Sequence, residues 1–158
     1  MDREAIKKTL DARSLRSVLI FRVAAYVILI SVYMVFAIII FRDCPYEMIG
    51  AALPMAMIYT IADGALIYLA ASRYVKLLKN APDFVPAKGY LKDARVKSLK
   101  YYFIVKVDLG QSAATGETGA YFSEYSDRAN IHDYLHKKVD VAYDAETRRV
   151  LVFPLDTH

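Results

Sequence analysis

The chain has 158 residues, 56% of them hydrophobic, with a mean hydropathy of +0.24, which excludes a disordered chain and is too apolar for an ordinary soluble domain. A single cysteine excludes a disulfide framework and a cysteine-built zinc site. The net charge of +4 is local: residues 1–42 carry seven Lys/Arg against three Asp/Glu, while 43–79 and 80–158 are each balanced, so a nucleic-acid polymer is not expected as a partner.

Residues 2–16 (DREAIKKTLDARSLR) read as a short basic helix, and residues 1–17 as an N-terminal cytoplasmic segment. Ile6, Leu10 and Leu15 are its few apolar positions. Two placements stay open: a solvated extension of the next helix, or a helix lying in the membrane interface.

Val18 to Phe41 is an apolar run of 24 residues with one charge, Arg22. At 1.5 Å per residue it covers roughly 36 Å, enough for a tilted span of a bilayer core of about 30 Å. Arg42-Asp43-Cys44-Pro45-Tyr46-Glu47 breaks the run. A second apolar run follows from Met48 to Ala71, with Asp63 as its one charge. Residues 18–79 therefore read as a two-helix transmembrane hairpin. Arg3, Lys7, Lys8, Arg13 and Arg16 precede the first span, Arg73, Lys76 and Lys79 follow the second, and the turn holds only Arg42. Cations gather on the cytoplasmic side, so both termini are expected in the cytoplasm, the lipid bilayer is the first expected partner, and the location is the cell inner (plasma) membrane. The apolar run is too long for a cleaved signal peptide. Cys44 at the outer turn is a bystander thiol or, on an oxidising side, a site for an intermolecular disulfide.

An ionisable group inside a bilayer costs about 2.5–3.5 kcal/mol on insertion scales and usually has a partner. Arg22 lies about one turn inside the cytoplasmic edge and Asp63 about two. Tyr26 stands four residues after Arg22, and Tyr59 four before Asp63. These four side chains are expected to form one intramembrane polar cluster, either a static pair fixing helix packing, or a proton or ion relay, or a contact with another subunit; Arg22 snorkelling alone to the headgroups is the remaining option. Ala52, Ala56, Thr60 and Gly64 form a stripe of small residues that lets helix backbones approach closely, against the first span or against the same helix of another chain. A homo-oligomer is expected. Pro54 is expected to kink the second span near its outer third.

Residues 80–86 (NAPDFVP) break the helix and read as a linker. Beyond it, 87–158 read as a cytoplasmic β domain. Strands are expected over 89–96, 101–109, 120–125, 138–143 and 148–153, with Phe103, Val105, Val107 and Leu109 on one face and Val139, Val141 and Tyr143 on another. Residues 110–119 read as loop, 126–136 as a helical turn, and 144–147 as a hairpin turn. The predicted fold class is a membrane α-helical hairpin of two transmembrane helices plus a small antiparallel all-β domain, an open barrel or curled sheet.

The runs AKGYLKDARV (87–96), YFIVKV (102–107) and KVDVAYDAETRRVLV (138–152) resemble a group of bacterial membrane proteins of unknown function, which carry a small β-barrel domain beside transmembrane helices and end in a V-x-V-x-Y-D-P hairpin. The resemblance covers residues 87–153 at most. Ala145 stands where that group usually has proline, and both helices here precede the domain. The resemblance implies the barrel and no catalytic residue.

The chemical motifs are sparse. HDYLH at 132–136 places His132 and His136 at i, i+4 with an acid between, an echo of the H-E-x-x-H zinc helix with Asp replacing Glu, which shortens the base by one methylene. Gly110, Gly116 and Gly119 flank no strand-to-helix turn of the phosphate-loop kind, and neither Ser112 nor Ser123 lies in a nucleophile elbow. With the topology above, Cys44 and the three histidines lie on opposite sides of the membrane. No catalytic residue, metal or cofactor is assigned. One asymmetry remains: Lys88, Lys92, Arg95, Lys97, Lys100 and Lys106 stand against Asp93 within residues 88–106, with Tyr90, Tyr101 and Tyr102 interleaved. Lys92, Arg95, Lys97, Lys100 and Tyr102 are the candidate ligand-binding residues, suited to an anionic small molecule or lipid headgroups; solvated strand faces are the plain alternative.

The expected function is a non-enzymatic integral inner-membrane protein whose β domain binds a protein partner or ligand and whose hairpin anchors and oligomerises it. The alternative is a membrane effector gated by an anionic nucleotide second messenger, which resembles, in architecture alone, prokaryotic immune effectors that fuse helical hairpins to small β-barrels. A membrane-bound metal hydrolase using His132 or His136 is a weaker third reading.

Overall fold

The computed structural model describes residues 1–40, 42, 46, 50, 52–97, 100–110, 112–119, 121–122 and 134–155. Cys44 and His132 lie outside them. The chain divides into two compact units: Val18–Arg73, and Met1–Ser17 together with Tyr74–His158.

The first unit is helical. Helix α2 runs Leu10–Ile40 and helix α3 runs Leu53–Lys79, both long and apolar enough to cross a membrane. Each extends beyond its apolar run, because Asp11, Arg13 and Ser14 at one end and Arg73, Lys76 and Lys79 at the other are compatible with helix. Of the most apolar eighteen residues in each, only 6% is buried within the chain. Pro54 is the second residue of α3 and follows π-helical backbone at Gly50 and Ala52.

The second unit is a barrel with an N-terminal helical cap. Helix α1 (Arg3–Lys7) is capped by Asp2, whose carboxylate accepts from Glu4 N at 2.9 Å. Thr9 separates it from α2: its hydroxyl donates to Ile6 O at 2.7 Å and accepts from Ala12 N at 3.3 Å, an N-cap that restarts the helix. Ile6 and Ala12 are fully buried with Leu77, Ala81, Phe84, Ala142 and Leu151. The N-terminal segment thus groups with the barrel unit: residues 10–17 do extend the next helix, as one expected placement had it, but Ile6, Leu10 and Ala12 are buried and not solvated. Its few apolar positions suffice because they meet an apolar outer strip of the β domain.

After a single 3-10 turn (Ala81–Asp83), the strands are β1 (Val85–Lys97), β2 (Lys100–Asp108), β3 (Ala113–Glu117), β4 (Tyr121–Phe122), β5 (Lys138–Asp144) and β6 (Arg149–Val152). The segment expected to be linker is partly the start of β1. The stretch 110–119, expected as loop, contains β3: its small residues hide the alternation that marks a strand. The expected helical turn at 126–136 falls mostly outside the described residues.

The order β5–β1–β2–β3 is a Greek key, three sequential antiparallel strands with the next lying beside the first. β6 pairs antiparallel with β5 and reaches β3 through a parallel bridge, Glu117 opposite Arg149, so five strands close into a barrel-like sheet while β4 pairs antiparallel with the first residues of β2. The domain is closed, not open, and one of its pairings is parallel; both points correct the expected fold. A bulge at Leu91/Asp93 bends β1, letting it pair with β5 through its first half and with β2 through most of its length. Closure needs Gly116 in β3, because a Cβ there would lie 2.4 Å from Val150 Cγ2 and 2.7 Å from Arg148 O.

Inside, Leu91, Phe103, Val105, Val107, Val141, Val150 and Val152 are almost fully buried, with Leu10 of α2 joining them. The alternation expected on β2 and β5 is present, except that Leu109 lies beyond β2 and is exposed.

The β5–β6 turn is held by Asp144, which is buried. Its carboxylate accepts from the Thr147 hydroxyl and from Glu146 N (3.0 Å) and Thr147 N (3.4 Å). The Thr147 hydroxyl chiefly, then these backbone donors and Arg149, hold the carboxyl below the usual carboxylate range against the opposing effect of burial. A carboxyl depressed in the folded state stabilises fully above its unfolded value, about 3.9, and that contribution is lost as pH falls through the folded value. Thermal unfolding followed from pH 6 to pH 2 should therefore show a smaller acid loss in Asp144→Asn than in the parent. Thr147→Val should cost about 1 kcal/mol at neutral pH.

Candidate functional site

The outer face of β1, β2 and β5 carries two rungs of polar side chains fixed by strand register. Lys88 of β1 stands opposite Asp108 of β2 and Asp140 of β5. Tyr90, two residues on and therefore on the same face, stands opposite Lys106 and Lys138. These rungs form one wall of an open cleft of about 920 Å³, completed by the β2–β3 turn and by Pro154 and Leu155 after β6. Directly opposed side chains in antiparallel strands lie about 5 Å apart at Cβ, so each lysine can reach the Tyr90 ring.

The two rungs differ electrostatically. Lys88 forms an ion pair with Asp140, both exposed, and Asp108 flanks it from the other side. Such an exposed pair contributes little stability. Lys106 and Lys138 have no ion-pair partner among the described residues. Tyr90 is 38% exposed, and its hydroxyl lies 3.5 Å from His136 Nδ1 with ring centroids 6.3 Å apart. His136 sits at φ 61°, a left-handed conformation uncommon for a side-chain-bearing residue, held by its N–H donating to Leu91 O at 2.9 Å.

The candidate residues read from sequence divide in the structure. Arg95 and Tyr102 are cross-strand partners, Lys92 is the exposed residue within the bulge, and Lys97 pairs with Lys100 across the β1–β2 hairpin. They occupy the opposite end of β1 from the cleft. Tyr101 is buried in the core and offers no stacking surface. The cleft instead uses Lys88, Tyr90 and Lys106 of the original basic run and adds Lys138, Asp140 and Asp108. Lys138 was illegible as a partner because it lies far along the chain; only the β1–β5 register reveals it.

In HDYLH, residues 134–136 are described, and the backbone at His136 is not right-handed helix. The i, i+4 geometry required by the zinc-helix reading therefore fails at its second histidine. Among the described residues, no group of three His, Cys, Asp or Glu is placed to hold a metal ion.

Within the helical unit, Tyr26 stacks on Tyr59 (centroids 6.0 Å, planes 15° apart) and hydrogen-bonds Thr60 Oγ1 at 3.1 Å, while the Tyr33 hydroxyl donates to Ala52 O at 2.9 Å. The tyrosine half of the expected polar cluster forms, but no ion pair joins Arg22 to Asp63. Of the small-residue stripe, Ala52 and Ala56 are buried, whereas Thr60 and Gly64 are exposed and Gly64 faces open space.

A polar anchor sits elsewhere in the barrel unit. Asp11 of α2 has a side chain only 2% exposed; its Oδ1 accepts from Gly119 N at 3.0 Å and lies 3.6 Å from Arg149 Nη2. Nothing in the local sequence marks Asp11, the one acid of α2, as different from Asp2 and Glu4 before it.

Comparison with known proteins found no matching family model, no matching curated protein and no matching solved structure.

Proposed function

We propose that the protein is a non-enzymatic integral protein of the inner (plasma) membrane, with both termini cytoplasmic, anchored and oligomerised by its helical hairpin and binding a partner or ligand through its barrel. The observation that carries this reading is the apolar surface of α2 and α3: Ile28, Ile39, Met57 and Ile61 are each more than 60% exposed. An apolar surface of that extent is unfavourable in water and natural in lipid.

Two experiments test it. The chain should resist alkaline carbonate extraction from membranes, and Cys44, the one cysteine of the chain, should react with an impermeant maleimide from the outer side. A cysteine introduced at Thr157 in a Cys44→Ser background should be protected. Release by carbonate, or the reverse labelling pattern, sinks the anchor and its orientation. For oligomerisation, Gly64→Leu is the informative substitution, because nothing in its own chain lies within 4 Å of the added Cβ. Cross-linked oligomers should fall several-fold while thermal unfolding is unchanged; undiminished cross-linking argues against packing through that face.

The cleft favours one second reading, a membrane effector gated by an anionic nucleotide, because two lysines without an ion-pair partner among the described residues flank an accessible aromatic ring.

A further inference from the structure

We infer that the cleft on β1, β2 and β5 is a binding site for a nucleoside phosphate, with Tyr90 as the stacking surface and Lys106 and Lys138 as the phosphate ligands. This rests on the reading of the barrel as a ligand-binding module and names what it binds. The placement is set by register. Tyr90 is the central member of a three-strand rung, and its two direct neighbours are both lysines. Neighbouring strands lie about 4.8 Å apart, so the two ammonium groups bracket the ring from positions about 10 Å apart in backbone. A planar ring can stack on the exposed tyrosine while its phosphates reach either lysine.

The adjacent rung supplies the complementary chemistry. Asp108 and Asp140 flank Lys88 about 7 Å along the strands from Tyr90, and a carboxylate accepts hydrogen bonds from sugar hydroxyls. The same aspartates discriminate against a polymer. A nucleic-acid strand tracking this face would carry its next phosphates past two carboxylates, whereas a mononucleotide confines its charge to the lysine rung. A flat anionic membrane surface meets the same repulsion and has no use for an aromatic platform.

Two further features fit a built cleft. His136 is held in its left-handed conformation with its ring tilted 39° against Tyr90, which braces the tyrosine from one side. Backbone strain of that kind is over-represented at ligand sites. The volume, about 920 Å³, lies within the range of small-ligand clefts.

The test is isothermal titration of the purified full-length chain in detergent micelles with ATP, AMP, adenosine and inorganic phosphate. Saturable binding of ATP or AMP is expected, with adenosine and phosphate each at least about tenfold weaker. Tyr90→Ala should weaken nucleotide binding by about 5- to 150-fold, the span of one lost base–aromatic stack. Tyr90→Phe should stay within about threefold. The double variant Lys106→Ala, Lys138→Ala should reduce the affinity for ATP to that for adenosine. All three positions are exposed, so thermal unfolding should match the parent and confirms that each variant is folded. Absence of saturable nucleotide binding, binding indifferent to Tyr90→Ala, or phosphate binding as tightly as ATP each overturns the assignment. These outcomes are independent of carbonate extraction and Cys44 labelling, which test the membrane reading alone.

Discussion

Asp11→Ala is expected to destabilise the barrel unit by about 2–4 kcal/mol, the range for removing a buried charged partner of a hydrogen bond and an ion pair. The Asp11 carboxylate is the polar joint between α2 and the barrel, accepting from Gly119 N and lying against Arg149. Its removal leaves the Gly119 N–H without this acceptor and opens a small void in a contact that also buries Ile6 and Ala12. For a unit of this size, such a loss lowers the midpoint of thermal unfolding by on the order of 10 °C or more. Asp11→Asn should cost less, because an amide oxygen can still accept from Gly119 while the attraction to half-exposed Arg149 is lost. Native-state hydrogen exchange gives the second readout: amides of residues 3–15 should lose protection ahead of β2 in Asp11→Ala. Equal loss throughout, or none, removes the joint from the account.

Gly116→Val is expected to be the most damaging single substitution in the β domain, because it strikes the one parallel pairing that closes it. The first added atom would lie 2.4 Å from Val150 Cγ2 and 2.7 Å from a backbone oxygen, that of Arg148. A flexible side-chain tip can yield, but the Arg148 carbonyl also accepts the Glu117 N–H at 3.3 Å that joins β3 to β6. Relief therefore requires parting the two strands. Overpacking costs typically 1–3 kcal/mol where neighbours adjust, and more is expected here. Gly116→Ala should fall within that range and Gly116→Val beyond it, read from denaturant midpoints in micelles. Gly110→Asn is the control: Gly110 has φ +84° and open space around it, and asparagine tolerates that region, so under 1 kcal/mol is expected.

The parts legible in the sequence were those with a long or regular signal. Two apolar runs with one charge each give helices at any register, and the alternation in β2 and β5 requires only that one face be buried. Closure of the sheet was illegible because it depends on β3, an Ala-Thr-Gly segment whose backbone pairs well but whose side chains carry no alternation. The role of residues 1–17 was illegible for another reason: three apolar side chains do not reveal which surface receives them. Half of the cleft was visible as a basic, tyrosine-bearing run. The other half comes from β5 through pairing, and pairing sets which charges neutralise one another. The same register that joins Lys138 to Tyr90 separates Lys92, Arg95 and Tyr102 from them.

The docking of Asp11 onto Gly119, 108 residues later in the chain, orders events during synthesis. The N-terminal cap finds its acceptor only after both apolar helices have left the ribosome, and the seam with Arg149 forms later still. Contacts of such long range are slow to form. A polypeptide shortened before the last strand should thus leave Ile6 without Leu151 and Asp11 without Arg149, and become a substrate for quality-control proteases. Pulse-chase of a chain ending at Asp144 should show that rapid turnover.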